Sequence, residues 1–315
     1  MNKQKKIIII ALGIILLGII VCLIGFFSMK KNLKLLNTSK YIERSFDVDD
    51  DFKSISINTD NEDIFVKQSQ DGKCKVVSYS DENQQYDISV KSDTLTIKYK
   101  NTVRWSLGIN TENPTLTVYL PKTEYTDFIV DTDTGKLEAD KEFTFEKLQV
   151  DSDTGAVSLS NVVKGDASIE TDTGKINLSD MSADNITLKT NTGHISLNDI
   201  KCSKELNAKT DTGHIEINKL TSKDMTLESD TGKVSLESAI NEESLQIKTD
   251  TGNVTFNESD AESVYIKTNT GSVSGSFLTD KKYVTKSDTG NINVPNSSEG
   301  GQCEITTDTG NINIK

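Results

Sequence analysis

The sequence predicts an all-β fold, a right-handed parallel β-solenoid (β-helix) of about ten coils, from two observations. The first is a four-residue phrase, Thr or Ser, then Asp or Asn, then Thr-Gly, that recurs at intervals of 19 or 20 residues; its glycines are Gly135, Gly155, Gly174, Gly193, Gly213, Gly232, Gly252, Gly271, Gly290 and Gly310. The second is the alternation of apolar and polar residues around each phrase, which is typical of strands with one buried face. A period this strict indicates stacked copies of one structural unit.

Each repeat is expected to hold a short strand on either side of its glycine. Counted from that glycine, position +2 is apolar in every repeat, and positions −7, −5 and +4 are apolar in most. A weaker apolar position falls at +7, in Val162, Met181, Ile200, Leu220 and Leu278. The inward positions are odd before the glycine and even after it, so we expect a bend there, which glycine allows through positive φ.

One coil cannot bury its apolar side alone, whereas a stack of coils buries a continuous column. Coils at a strand spacing of roughly 4.8 Å would form a rod about 43 Å long over nine intervals. Strands one coil apart would run parallel, and nearly all parallel crossovers are right-handed. An antiparallel sandwich of hairpins is the alternative, but a sandwich does not require matching residues in every repeat.

The residues just before the glycine form three columns. Positions −3 and −1 share the inward parity and are expected to line the corner with stacked hydroxyls. Position −2 is expected to face outward; it is Asn at Asn191 and Asn269 and Asp elsewhere, at Asp133, Asp153, Asp172, Asp211, Asp230, Asp250, Asp288 and Asp308. Such acids satisfy backbone N–H groups in turns.

The same eight aspartates also support a second hypothesis, a ladder that binds divalent cations such as calcium, because carboxylates stacked one coil apart repel each other. Lysines at position −4 argue against it, since they neutralise neighbouring acids; they are Lys189, Lys209, Lys248, Lys267 and Lys286. His194 and His214, both at +1, are interpreted as a solvated surface pair, since two ligands make a weak metal site.

Two further interpretations of the repeat are less well supported. Asp-Thr-Gly is the catalytic phrase of aspartic proteases, which need two carboxylates sharing a proton across a cleft, but ten periodic copies indicate a structural role. Rows of threonine resemble ice-binding solenoids, but here the parity places them inward.

No clustered nucleophile, base or metal ligand is found, so the chain is expected not to be an enzyme and to need no cofactor. Only the loop around Trp105 offers room for the groove of a β-helical polysaccharide lyase or hydrolase.

The N-terminal segment predicts a membrane anchor. Residues 7–27 are uncharged and mostly apolar, which is long enough to span a bilayer as a helix. We expect residues 1–6 to form a cytoplasmic tail, 7–27 a single uncleaved transmembrane helix, and 28–40 a polar linker, with the bulk of the chain outside the cell. The topology is not decided by charge, since lysines flank the segment on both sides.

The remaining chain divides into two regions. Residues 41–130 are β-rich but irregular and are expected to form the N-terminal coils and cap, and residues 131–315 form the regular repeats. Solenoids need atypical ends to hide the open sheet edge. Because residues 311–315 read as a strand with no comparable cap, we expect this C-terminal edge strand to contact a partner by strand addition or to pair with another copy.

The charge of the chain restricts its partners. Beyond residue 31 the chain has 30 basic and 48 acidic residues, a net charge of −18. Such an exterior disfavours DNA and RNA. It also repels polyanionic wall polymers unless cations bridge the two. The cysteines Cys74, Cys202 and Cys303 have no spacing that suggests a metal site or a disulfide framework, and Cys303 is expected in the core.

The N-terminal anchor, the phrase Pro-Thr-Leu-Thr-Val-Tyr-Leu-Pro at residues 114–121 and the Asp-Thr-Gly coils together resemble a bacterial family known as "putative adhesin", or LiaG-like, a domain of unknown function with β-strand repeats. The resemblance spans roughly residues 45–315. It implies a β-helical body at the envelope of Gram-positive bacteria, with some relatives linked to envelope stress. The expected function is a membrane-anchored extracellular binding or scaffold protein whose partner is a cell-wall polymer or an envelope protein. The alternative is a regulatory partner of a membrane sensor.

Overall fold

The computed structural model describes residues 14–21, 40–100 and 112–315. Residues 14–21 are helical, and within the described part of the chain no helix is long and apolar enough to cross a membrane. Most of the predicted anchor and linker lies outside the described residues, as does the loop around Trp105. The rest of the described chain forms one continuous sheet that winds into a solenoid.

Three sets of strands form this solenoid. The first face contains β2 (Ser54–Thr59), β6 (Thr94–Lys100), β8 (Glu124–Thr134), β10 (Thr144–Thr154), β13 (Asp166–Thr173), β16 (Asn185–Thr192), β18 (Glu205–Thr212), β22 (Ser263–Thr270), β24 (Lys281–Thr289) and β26 (Gly301–Thr309). The second face contains β3 (Asp63–Gln68), β7 (Thr115–Leu120), β9 (Leu137–Ala139), β11 (Val157–Leu159), β14 (Ile176–Ser179), β17 (Ile195–Cys202), β21 (Val254–Ser259), β23 (Val273–Phe277), β25 (Ile292–Asn293) and β27 (Ile312–Ile314). The long strands β19 (Ile215–Thr231) and β20 (Val234–Thr251) bend through both faces, and β12 (Val162–Val163) and β15 (Ser182–Ala183) lie on a third side. The cap adds β1 (Tyr41–Val48), β4 (Cys74–Asp81) and β5 (Gln85–Lys91).

Strands of successive repeats pair in parallel and in the register that the repeat predicts. Val130 pairs with Val150, and Val150 pairs in turn with Ile169. The predicted core columns at −7, −5, +2 and +4 are buried through the regular coils. At +7, Met181, Ile200 and Leu220 are buried as predicted, whereas Val162 and Leu278 are exposed. The all-β solenoid of about ten repeats is therefore confirmed, and its handedness stays a prediction.

The glycine of each repeat is required by contact between coils. A Cβ built on Gly213 would lie 1.7 Å from the carbonyl oxygen of Gly193 in the preceding coil, and the other interior glycines show the same clash. The bend itself is not the general reason, because within the ten phrases only Gly135, Gly290 and Gly310 have positive φ. The expectation that the glycine serves the bend is thus wrong for most coils: it serves the close stacking.

The hydroxyl residues on either side of position −2 differ in environment. Position −3 is buried as predicted except in the terminal coil, where Ser287 is half-buried. In most of the later coils its hydroxyl donates to the glycine carbonyl of the neighbouring coil, as Thr210 does to Gly193 at 3.1 Å. Position −1 was expected inward, and this is wrong: Thr212 and its equivalents are exposed. Alternation breaks at this corner because residues −2 and −1 both turn outward before the chain enters the second face.

A second corner recurs six residues after the glycine and has no sequence signature. Asp180, Asp199, Lys219, Ser238 and Glu258 all occupy left-handed backbone conformations there, with φ between 45° and 59°. Only small or polar side chains tolerate such φ well, and Asp is among the better ones. This corner separates the second face from the third side.

The N-terminal end is closed by antiparallel strands. β6 and β7 form the outermost parallel coil at this end. They stack on the coil of β2 and β3, β6 pairing with β2 and β7 with β3. β5 then pairs antiparallel with β6, while β4 pairs antiparallel with β7 and carries β1 on its other side. Antiparallel strands thus cover the edges of the parallel stack at this end.

The last two repeats stack in reverse order. β26 lies between β22 and β24, and β27 lies between β23 and β25, so the repeat of Gly310 is interior and that of Gly290 is terminal. We expected residues 311–315 at the open edge, and this is wrong: Ile312 is fully buried. Because the chain circulates in the same sense while stepping backwards, this step has the opposite handedness to the steps between the regular coils.

Hydrophobic burial explains the reversal. The Gly310 repeat supplies Cys303, Ile305, Ile312 and Ile314 to the core columns, and all four are buried. The Gly290 repeat has the polar Thr285 where most repeats have an aliphatic residue. Burying apolar area gains roughly 25 cal/mol per Å², so the more apolar repeat occupies the slot that is covered on both sides.

A buried ion pair fixes the start of the terminal coil. Lys281 is 2% exposed, and its ammonium group contacts the carboxylate of Asp260 and donates to Thr279 Oγ1 at 2.7 Å. The ammonium also lies 5.6 Å from the centre of the Phe277 ring. A buried charge is tolerated when it is paired and hydrogen-bonded in this way.

Replacing an interior glycine should destabilise the solenoid strongly. For Gly213→Ala we expect a loss of about 3 kcal/mol or more in the free energy of unfolding, because the new methyl group overlaps a backbone carbonyl that has no room to move. Urea unfolding followed by circular dichroism measures this. Thr212→Ala, at the adjacent exposed position, should change the midpoint little. Equal midpoints for the two variants would contradict the steric explanation.

Hydrogen exchange should distinguish the reversed order of the last repeats from sequential stacking. Amides of residues 303–309 are expected to exchange at least about tenfold more slowly than those of 283–289, because β26 is paired on both sides and β24 on one. Peptide-level exchange followed by mass spectrometry resolves the two segments. Faster exchange in 303–309 would indicate that the repeats stack in chain order.

Candidate functional site

The eight aspartates predicted as a ladder lie on one outer corner of the solenoid. All are exposed, as expected for position −2, and they follow each other one coil apart. The two asparagines interrupt the column of aspartates, and each hydrogen-bonds to the aspartate of a neighbouring coil. Asn191 donates to Asp172 at 2.8 Å, and Asn269 donates to Asp250 at 3.1 Å. Because of the reversal at the end, Asp308 precedes Asp288 along the rod.

The N-terminal part of this corner has the highest density of acids, and we name it the acidic corner. It consists of two neighbouring columns over the first four coils. Position −2 supplies Asp60, Asp133, Asp153 and Asp172, and position −4 supplies Asp131, Asp151 and Glu170. Asn58 donates to Asp131 at 2.8 Å at one end, and Lys189 pairs with Glu170 at the other. Asp60 was missed as a member because its coil lacks the glycine.

Two carboxyl groups of the acidic corner have pKa values above their ordinary range. Partial desolvation, followed by a hydrogen bond and charge from Asp60, raises the pKa of Asp133. Partial desolvation and the nearby Glu170 and Asp131 raise the pKa of Asp151. Farther along the rod, lysines occupy most −4 positions, and Lys248 pairs with Glu228, the acid that remains at −4 there. The acidic corner therefore carries more uncompensated negative charge than the rest of the ladder.

These carboxylates do not converge on one point. Within the described residues, no three His, Cys, Asp or Glu side chains are placed to hold a metal ion together. The acids stand in columns at coil spacing, an arrangement that attracts cations diffusely or bridges them to another charged surface. The calcium ladder stays a prediction.

The two histidines form a stacked surface pair. Their ring centres are 4.9 Å apart and nearly parallel. The Nδ1 of His194 accepts the backbone N–H of His214 at 3.0 Å, and the Nδ1 of His214 accepts that of Lys233 at 2.9 Å. One nitrogen of each ring is therefore occupied by the neighbouring coil, which fits the structural interpretation of the pair.

The described cysteines are buried and free. Burial raises the pKa of Cys74 and of Cys303 to about 12, and it also raises the pKa of Cys202. Such thiols are poor nucleophiles, since the thiolate is the reactive form. The prediction that Cys303 belongs to the core is confirmed.

A buried carboxyl group lies in the cap, where sequence patterns gave no signal. Glu62 is fully buried; its carboxylate accepts the side-chain amide of Gln84 and the backbone N–H groups of Asp60 and Asn61 at 3.3 and 3.2 Å. Burial and this carboxylate together raise the pKa of Tyr86. The cluster is enclosed by the cap and ties the turn between β4 and β5 to the first coil.

A groove on the third side runs along the rod axis. We name it the longitudinal groove; its volume is about 630 Å³, and it is lined by residues 162–164, 182–184, 201–203, 221–223, 240 and 242. Each of five successive coils contributes one segment, so the groove is about 19 Å long at the strand spacing. Small side chains make it concave, among them Ser182, Ala183, Ser203 and Thr221. The sequence missed it because smallness at these positions has no strict period.

The charges beside the longitudinal groove are mostly paired. Lys164 pairs with Glu124 and Glu146 at 3.3 and 3.0 Å, and Lys223 pairs with Glu243 at 3.1 Å. Hydrogen bonds from Ser203 and Lys204 lower the pKa of Asp184. Lys201 is exposed and forms no ion pair with any described residue. The groove thus presents hydroxyl, ammonium and carboxylate groups, together with the apolar side chains of Val162 and Ile240, without a strong net charge.

A protein-family model matches most of the chain. The model of the Toastrack DUF4097 domain matches residues 52–218 and 201–315. This chain belongs to the Toastrack DUF4097 family. The resemblance inferred from the repeats, to an adhesin-like domain of unknown function, is thereby confirmed. No curated protein shows significant sequence similarity to the chain.

Solved structures were compared with this Toastrack chain, and one of them shares its fold. A "putative adhesin" from Parabacteroides distasonis ATCC 8503 superposes with a TM-score of 0.51 at 14% identity, covering 89% of this chain and 98% of that chain. A "putative adhesin" from Bacteroides fragilis NCTC 9343 has a TM-score of 0.41 at 16% identity, covering 88% and 97%. A "putative lipid binding protein" from P. distasonis ATCC 8503 has 0.37 at 11%, covering 88% and 98%. These names describe adhesion or binding, not enzymes, and at such identity the first likeness shows the fold alone.

Neutralising the acidic corner should stabilise the protein in a pH-dependent way. A pKa raised in the folded state means that protonation favours folding, so these groups destabilise at pH 7 and cease to do so below about pH 3.8, where they are neutral. Asp133→Asn with Asp151→Asn should raise the midpoint of thermal unfolding by about 1–3 °C at pH 7, an amount limited by solvent screening. The gain should vanish at pH 3.5.

Asp211→Asn is the matched control, because Asp211 lies near the ammonium group of Lys189. Neutralising Asp211 removes its attraction to Lys189, so this variant should not raise the midpoint of thermal unfolding. Equal effects of the control and the double variant at pH 7 would contradict local repulsion in the acidic corner.

Proposed function

We propose that this Toastrack protein is an adhesin-like binding or scaffold protein of the bacterial cell envelope, held at the membrane by residues 7–27 with the solenoid outside the cell. We further propose that it binds an extended cell-wall polymer along the longitudinal groove. The observation that carries this proposal is the groove itself, a concave strip parallel to the rod axis to which five successive coils contribute equivalent positions.

The geometry of the groove suits a linear ligand. Lining segments repeat at roughly 4.8 Å, so an extended polymer meets side chains at regular steps along its length. Ser182, Lys201 and Thr221 occupy equivalent outward positions in three neighbouring coils. Hydroxyl and ammonium groups bind the hydroxyl, carbonyl and carboxylate groups of glycans by hydrogen bonds.

The charge distribution favours a neutral or weakly charged polymer. The net charge of −18 beyond residue 31 repels a polyanion at long range. The ion pairs beside the groove leave little local positive charge to reverse this. Polyanionic wall polymers would therefore require cation bridging, for which the acidic corner is the suited surface.

Co-sedimentation with purified Gram-positive cell walls tests the proposal. The full chain in a mild detergent should pellet with the walls without added calcium. Thr221→Trp, which fills the groove from an exposed position, should weaken binding about tenfold, a loss of 1.4 kcal/mol. Thr187→Trp, at an exposed position on the first face, is the matched control and should bind as the unaltered chain does.

Other outcomes separate the alternatives. If the chain pelleted only with calcium, and if the double variant Asp133→Asn with Asp151→Asn no longer pelleted, the binding site would be the acidic corner and not the groove. No pelleting in either condition would overturn wall binding and favour a protein partner in the membrane, such as a sensor, to be sought by copurification. Equal binding by Thr221→Trp and Thr187→Trp would exclude the groove.

A further inference from the structure

The terminal coil leaves one end of the stack open. β24 pairs only with β26, and β25 pairs only with β27, so no described strand covers their outer sides. An uncovered edge presents unpaired backbone N–H and C=O groups that can receive another strand. At the opposite end of the same rod, the equivalent edges are covered by β5 and β4, and both pair antiparallel.

The apolar column is also uncovered at this end. Ile292 is 43% exposed, although its equivalents at +2 in the preceding coils are buried. Tyr283, at a core position of β24, is only half-buried, and Val284 beside it is 68% exposed on the outer surface. The surface therefore combines an open backbone edge with apolar side chains, which is the combination that native proteins usually cover.

The sequence of β24 is complementary to itself in antiparallel register. When two copies pair about Thr285, Lys282 of one copy lies opposite Asp288 of the other, and this contact occurs twice. Tyr283 then faces Ser287 on the core side. Directly opposed unlike charges stabilise antiparallel pairs, and like charges destabilise them.

The side chains of β24 have the orientation that this register requires. Lys282 and Asp288 both point to solvent on the outer surface, whereas Tyr283, Thr285 and Ser287 are partly buried on the inner side. Lys282 forms no ion pair with any described residue, and Asp288 pairs only with Lys286 of its own strand, at 2.9 Å. A second copy thus offers Lys282 the carboxylate that its own chain does not.

We propose that two copies of this chain associate end to end through β24, antiparallel and two-fold symmetric about Thr285. The interface is isologous, as in most closed dimers, so association stops at two copies. The N-termini then lie at opposite ends of the joined rod. If residues 7–27 anchor each copy, as proposed above, the dimer could connect two apposed membranes; the association itself does not depend on that anchoring.

Charge exchange within β24 tests both the association and its register. Sedimentation velocity of the full chain in detergent, over a range of concentrations, should show a reversible dimer. Lys282→Asp alone and Asp288→Lys alone should each weaken dimerisation about tenfold, because like charges then face each other twice. The double variant Lys282→Asp with Asp288→Lys should restore dimerisation to within about threefold of the unaltered chain.

Crosslinking gives an independent readout. Thr285→Cys places two cysteines opposite each other on the two-fold axis, where an antiparallel pair brings Cα atoms within disulfide reach. Mild oxidation should yield a covalent dimer well above the background of the unaltered chain, and Thr187→Cys, away from β24, should not. Thermal melting verifies that every variant is folded.

Three results would overturn the proposal. They are a chain that stays monomeric at the highest concentration reached, single variants that dimerise as the unaltered chain does, and a double variant that fails to recover. Binding to cell walls is measured separately, so a failure of the dimer leaves the groove proposal standing and the reverse holds as well.

Discussion

The close approach of successive coils at the glycine column is the constraint on which the rest of this structure depends. The carbonyl oxygen of each interior glycine occupies the space where a Cβ of the next glycine would lie. The same carbonyl accepts a hydroxyl from position −3 of the next coil in most of the later repeats. Coils that touch here hold the parallel strands in register, and that register stacks the aliphatic residues into one core. A larger residue at one glycine would displace both adjoining coils.

The regular stack creates surfaces that differ in kind although they share one period. The corner next to the glycine carries charges in columns, because residues −4 and −2 point outward in every coil. Like charges in such columns repel unless lysine or asparagine intervenes, as Lys189 and Asn191 do beyond the acidic corner. The third side lacks this regularity, and its small side chains leave the longitudinal groove. Binding is therefore proposed where the repeat is least strict.

The ends of the rod solve one problem in two different ways. A parallel stack terminates in unpaired strand edges, and the N-terminal end covers them with antiparallel strands. The C-terminal end places its most polar repeat outermost and inserts the more apolar repeat beneath it. The buried pair of Lys281 and Asp260 holds that outer repeat in place. The remaining edge on β24 is the surface on which a second copy is proposed to pair.

The amino-acid sequence by itself determined the period, the all-β solenoid, the parallel register and most core positions, because these depend on local alternation repeated without interruption. It also located the exposed aspartates, although not the extension of the acidic corner by Asp60. It misplaced the −1 threonines, since parity arguments assume a straight strand and this corner turns twice. It also misplaced the C-terminal edge.

Tertiary structure alone decided the order of the last two repeats, the left-handed second corner, the buried Glu62 and the longitudinal groove. Each of these arises from competition between segments distant in the chain, which no local pattern encodes. The Gly290 and Gly310 repeats compete for one interior position in the stack, and the outcome depends on how much apolar surface each would bury there. The groove likewise exists only when segments from five coils align along the axis.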